Sequence, residues 1–210
     1  MGTLAVDNIQ HTDGSSAVTL NNATITTGTI PAASVTGTLG SGIFPAGHVL
    51  QVQYTSSSSR VSTTHTSWTE PSTGYRVTIT PQYSNSMIQI VYQMCFNYGA
   101  ASNVLAGLRA FRIISGGSKS YALTSAGQSG GSRNLIAGGV IRPGNGYDNN
   151  DMNIEPIHAI DYPASTGVCQ YGFESKPEGG NTSYWGYSSS NNSTWGWDAD
   201  IVITAMEVKV

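Results

Sequence analysis

Met87-Ile88-Gln89-Ile90-Val91-Tyr92-Gln93-Met94-Cys95-Phe96-Asn97-Tyr98 alternates with a period of two. Successive side chains of a strand point to opposite sides, so Ile88, Ile90, Tyr92, Met94, Phe96 and Tyr98 share one face and Gln89 and Gln93 lie on the other. The stretch reads as a strand of a half-buried sheet, and its surroundings repeat the pattern. After it, Leu108, Ala110, Arg112 and Ile114 oppose Arg109, Phe111 and Ile113, which predicts a strand partly covered on both faces. Before it, Val49, Val52 and Tyr54 open a strand, and Tyr75, Val77 and Ile79 alternate until Pro81 stops them. Further strands are predicted over 134–141, 156–162, 167–175 and 200–210. The last of these sets Ile201, Ile203, Ala205 and Glu207 against Val202, Thr204, Met206, Val208 and Val210. Short strands separated by Gly, Pro, Asn and Ser turns predict an all-β, antiparallel β-sandwich of jelly-roll type.

The opening forty-odd residues are different. Isolated aliphatics (Leu4, Val6, Ile9, Val18, Leu20, Ile25, Ile30, Val35, Leu39 and Ile43) stand in a background of Thr, Ser, Ala and Gly, and no helical period fits them. Thr27-Gly28-Thr29-Ile30 and Thr36-Gly37-Thr38-Leu39 form a weak repeat with Pro31 between them. A lone extended chain cannot bury such residues, whereas parallel copies can turn them onto a shared axis. A disordered linker is the competing reading, but Gly/Ser linkers lack this regular return of β-branched residues. Phe44-Pro45-Ala46-Gly47 punctuates the boundary. Residues 1–46 are therefore expected to form an extended anchor and stalk, and 47–210 a β-sandwich head.

Only 10% of the 210 residues are charged and 25 are glycine. A typical soluble domain carries about 25% charged residues. Short hydroxyl and amide side chains suit a rigid β-rich component, and also a secreted adhesin or lectin. A net charge of -3 with nine basic residues supplies no footprint for nucleic acid. No secretory leader pattern opens the chain and no apolar run approaches the roughly 18 residues that cross a bilayer, so neither export by that route nor membrane insertion is expected. Met1-Gly2 lacks the Ser or Thr at position 6 that myristoylation requires, since Val6 stands there. Cys95 and Cys169 are too few for a disulfide scaffold, and free thiols are expected unless their strands face each other.

The order of these pieces, a Thr/Gly/Ile-rich lead, the junction Ile43-Phe44-Pro45-Ala46-Gly47-His48-Val49-Leu50-Gln51-Val52, a polar Ser/Thr stretch and a closing Ile-Thr-Ala-Met-Glu-Val, resembles tail-fibre-like and other virion structural proteins of phages, many from aquatic bacteria. The likeness spans nearly the whole chain, and the junction is its distinctive part. It implies a homotrimer, an N-terminal segment plugged into other virion proteins of the tail or capsid, and a distal head. It carries no catalytic or binding residue across, because the matched motif is a junction. The expected location is the virion, assembled in the host bacterial cytoplasm, with no enzymatic activity and no cofactor.

Candidate chemistry is sparse. His11, His48, His65 and His158 form no ligand pair, and no metal site is expected. His48 is placed at the stalk-to-head junction and His158 within a strand, both in structural roles. Glu155, Asp161, Glu174 and Glu178 are the carboxylates from which a glycosidase pair would have to come. Asp148-Asn149-Asn150-Asp151 offers oxygen donors but Met152 breaks the EF-hand alternation, leaving a loop of Asx turns. Three of the four tryptophans lie between Tyr184 and Trp197. Tyr184, Trp185, Tyr187, Trp195 and Trp197 are the candidate receptor contacts, because exposed aromatic rings stack on host-surface glycans while Ser and Asn bond the hydroxyls. The alternative is that Trp185, Trp195 and Trp197 pack as cross-strand pairs.

Overall fold

The computed structural model describes residues 45–98, 106–121, 123, 153–177, 182–188 and 198–210. All of these belong to the compact unit Ser41–Val210. The stalk aliphatics Leu4 to Ile43 and the strand predicted over 134–141 lie outside the described residues.

Among the described residues nine strands follow one another: β1 (Val49–Ser57), β2 (Val61–Thr64), β3 (Val77–Ile79), β4 (Met87–Tyr98), β5 (Ala106–Ile114), β6 (Asn153–Asp161), β7 (Cys169–Pro177), β8 (Thr182–Trp185) and β9 (Ile201–Val208). There is no helix among the described residues and every strand pairing is antiparallel, so the chain is all-β with two sheets packed as a sandwich.

β4 is the spine of the first sheet. Along one edge it pairs with β6, from Ile88↔Asp161 to Phe96↔Asn153. Along the other it pairs first with β9, from Met87↔Val208 to Gln93↔Val202, and then with β8, from Phe96↔Trp185 to Tyr98↔Ser183. β8 and β9 run in the same direction on the same edge, so together they are one long strand interrupted by residues 186–200. Outside them β1 pairs with β9 and β2 with β8, so β1 and β2 are likewise one strand broken at 58–60. Six strands thus occupy four positions, β1/β2, β9/β8, β4 and β6. The second sheet has the order β3-β7-β5.

The strand alternation read in the sequence places the core. Ile88, Ile90, Tyr92, Met94 and Phe96 are fully buried against Leu108, Ala110, Tyr171 and Phe173 of the facing sheet. Phe173 is the aromatic hub: its ring lies 6.1 Å from Tyr75, 6.3 Å from Tyr92 and 5.1 Å from Trp185. Each aromatic side chain of this size stabilises the sandwich by roughly 1.5–3 kcal/mol through burial alone. Polar links also cross between the sheets. Arg112 of β5 donates to both oxygens of Asp161 on β6, at 2.6 and 2.8 Å, and the Tyr171 hydroxyl of β7 donates to Asp161 Oδ2 at 2.7 Å. The Tyr92 hydroxyl reaches the Gly172 carbonyl at 3.3 Å.

The outer face of the second sheet is covered. Phe111 points outward yet is fully buried, because Arg76 and Lys119 lie over its ring at 5.5 and 4.3 Å. Gly172 leaves room for that ring, since a Cβ there would sit 2.6 Å from Phe111 Cζ. Ion pairs continue the cover in a chain: Arg76 to Glu70 (2.6 Å), Glu70 to Lys119 (2.8 Å), Lys119 to Glu174 (2.9 Å) and Glu174 to Arg109 (2.6 Å). Burial raises the Glu70 and Glu174 carboxyls, but hydrogen bonds from Arg76 and Lys119, and from Lys119 and Arg109, outweigh it and leave both below the ordinary carboxylate value.

Candidate functional site

On either side of the interruption between β8 and β9, the described residues 186–188 and 198–200 are tied together. Gly186 donates its N–H to the Cys95 carbonyl at 2.8 Å and accepts from Ala199 N–H at 3.1 Å, and Tyr187 and Asp198 form an antiparallel bridge. Gly186 has φ +78°, and a Cβ there would lie 2.9 Å from the Ser59 carbonyl oxygen. Glycine is therefore required both for the left-handed turn that leaves the sheet and for the close passage of the 58–60 segment. The Tyr75 hydroxyl donates to that same Ser59 carbonyl at 2.6 Å, which holds the β1/β2 break in place.

Around these residues several side chains gather. Tyr184 and Tyr187 meet edge to face with ring centroids 5.4 Å apart. Arg60 lies 5.8 Å from the Tyr187 ring and pairs with Asp198. Ser56 Oγ donates to Asp200 Oδ2 at 2.9 Å. Further along the β2/β8 ladder the Thr64 and Thr182 hydroxyls are 2.7 Å apart. A shallow cleft of about 150 Å³ is lined by Ser58, Gly186, Asp198, Ala199 and Asp200. Arg60 and Asp198 remain half exposed, at 52% and 55%, so their pairing is screened by water and both can exchange partners with a ligand. Aromatic edges, carboxylate acceptors, a guanidinium and hydroxyls together form a surface that can stack on and hydrogen-bond a polyhydroxylated molecule.

Of the residues singled out in the sequence, the fold brings Tyr184, Trp185 and Tyr187 to one place. Trp185 alternates inward, is 0% exposed and packs 5.3 Å from Phe96 and 5.1 Å from Phe173. A ring with no exposed surface cannot stack on a sugar, so a receptor-contact role for Trp185 gives way to cross-strand packing. Trp195 and Trp197 lie outside the described residues. Arg60, Asp198, Asp200 and Ser56 had no signal in the sequence, because Arg60 and Asp198 meet across 138 residues through the β1/β2 and β8/β9 breaks.

The other candidates are placed as follows. Asp161 is 1% exposed and held by Arg112 and Tyr171. Glu174 accepts from Arg109, Lys119 and Tyr121. Glu178 and the 148–151 loop lie outside the described residues. His48 is exposed beside the chain's entry into β1, where its carbonyl accepts from Lys209 N–H at 2.9 Å. His158 is exposed on the outer face of β6, and His65 bonds the Ser175 carbonyl at 2.9 Å. Among the described residues no group of three or more His, Cys, Asp or Glu is placed to hold a metal ion. Both cysteines are free and buried, and burial pushes both thiols up. Cys169 belongs to the core, whereas Cys95 points to the other side of its sheet, with Sγ 3.5 Å from the Asp200 carbonyl.

The site lies at one end of β4, near Phe96, while β1 begins at the other, where Gly47 N–H donates to the Lys209 carbonyl at 2.7 Å and Val208 pairs with Met87. The nine-residue step from Met87 to Phe96 separates the two by about 30 Å at the usual rise of a strand. No protein-family model matches the chain, and no curated protein matches its sequence.

Proposed function

We propose that the chain is a non-enzymatic structural protein of a phage virion, a short homotrimeric tail fibre anchored by residues 1–46 and presenting its sandwich head to the host surface. The observation that carries the reading is the polarity of the head. The cluster of Tyr184, Tyr187, Arg60 and Asp198 stands at the end of β4 remote from Gly47, where β1 begins. A fibre head needs that arrangement, with attachment at one end and contact at the other. Strand order supports a jelly roll: from β1 through β3, β4 and β5, and again from β6 to β7 and on to β8/β9, the chain alternates between the two sheets. Three copies of one weak glycan contact gain avidity without strong intrinsic affinity. A capsid decoration or head fibre differs only in where the N-terminal segment docks, and a free-standing carbohydrate-binding module or adhesin would need no virion partner at all.

Imaging of intact particles by electron cryomicroscopy with an antibody against the head tests the reading. Antibody clustered at threefold appendages of the tail supports it, antibody on the capsid surface transfers the role to a head fibre, and unlabelled particles overturn it.

A further inference from the structure

One end of the space between the sheets is polar. Odd-numbered residues of β2 and β8 turn inward there. Val61 packs on the core, its partner Trp185 is fully buried against Phe173, and one step along the ladder Thr63 pairs with Ser183. On the facing sheet Ser175 of β7 follows Phe173 by two residues and is also buried. His65, two residues past Thr63, reaches it: His65 Nε2 donates to the Ser175 carbonyl at 2.9 Å and lies 3.1 Å from the Ser175 hydroxyl. Facing sheets lie about 10 Å apart. Where Trp185 and Phe173 meet, two large rings fill that distance. In the next layer the short side chains of Ser183, Thr63 and Ser175 stand in their place, with the His65 ring reaching across.

Three polar atoms of this region lack a partner. Thr63 Oγ1, Ser183 Oγ and Trp185 Nε1 are buried and meet no hydrogen-bond partner among the described residues. Ser183 and Trp185 are both 0% exposed. A hydroxyl or indole N–H taken out of water without a partner is costly, and native interiors leave few of them. Thr63 and Ser183 are direct cross-strand partners, so their Cβ atoms are about 5 Å apart, a span that one water bridges.

We infer that Thr63, Ser183 and Trp185 hold an ordered water molecule at this end of the sandwich. Donors and acceptors match. The indole N–H donates to the water and each hydroxyl donates or accepts, which gives the water about three bonds, the usual number for a buried one. The water joins β2, which follows directly on Arg60, to β8, which carries Tyr184 outward between Ser183 and Trp185. It thereby braces from inside the strands that position the cluster at the end of β4.

A high-resolution crystal structure of the full chain tests this. The expected result is a single peak of water size within about 3.2 Å of Thr63 Oγ1, Ser183 Oγ and Trp185 Nε1. A direct bond between the two hydroxyls overturns the inference, and so do hydroxyls turned to backbone carbonyls with no peak between them. Thr63→Val checks the same point in solution by urea unfolding. A hydroxyl bonded to buried water loses that bond on substitution, so the folding equilibrium constant is expected to fall about threefold or more. An orphan hydroxyl gains from replacement by a methyl, so an unchanged or raised constant overturns the inference.

Discussion

Gly186 is where one residue decides whether the site exists. Its φ of +78° and the 2.9 Å approach of the Ser59 carbonyl to any Cβ combine backbone strain with a clash against backbone that cannot swing away. Gly186→Ala is expected to lower the stability of the head by about 1–3 kcal/mol in urea unfolding; a change below about 0.5 kcal/mol would mean that residues 186–188 and 198–200 are not tied as described. Glu70 and Glu174 make a second residue-scale statement. Their carboxyls sit below the ordinary value of 4.5 despite burial, because Arg76, Lys119 and Arg109 favour the charged form. Stability from a depressed carboxyl is fully present above its unfolded value and is lost as pH falls through the folded one. The head should hold its stability above about pH 4.5 and lose it progressively below, and Glu174→Gln should flatten that decline. Unfolding midpoints between pH 3 and 7 check this; equal slopes in parent and variant would contradict it.

At the scale of elements, the sequence was most legible where a strand has one buried side. Alternation from Met87 to Met94 and in Ile201–Val208 follows the burial found there, whereas from Cys95 to Asn97 both faces are covered, and Phe111 with Leu108 bears out a strand covered on two faces. What was not legible is non-local: nothing within Thr182–Trp185 announces that it continues the line of Ile201–Val208 across a loop, since the alignment is set by the shared partner β4. The link from β5 and β7 to β6 carries the element-scale prediction. Removing the Asp161 carboxylate leaves Arg112, 15% exposed, without its anion and Tyr171 without its acceptor. Asp161→Ala should cost about 3–5 kcal/mol, and Asp161→Leu with Arg112→Met should recover most of it, because an apolar pair carries no desolvation penalty. Denaturant titration of both variants measures the difference.

On the scale of the whole molecule, the sparse charge of the chain becomes intelligible. Ionic residues chain across the outer face of the second sheet and link the two sheets through Arg112 and Asp161, while the first sheet carries the exposed Arg60–Asp198 pair at one end. Composition alone could not divide the surface this way, because the division depends on which sheet each strand joins. The fibre role proposed above needs this sandwich to work in several copies.

Assembly is therefore the claim on which the rest depends, and light scattering of the purified full chain at micromolar concentration tests it most directly. Three times the 22.0 kDa mass of one chain is the expected result. A stable particle of 22.0 kDa that persists as the concentration rises would contradict the fibre.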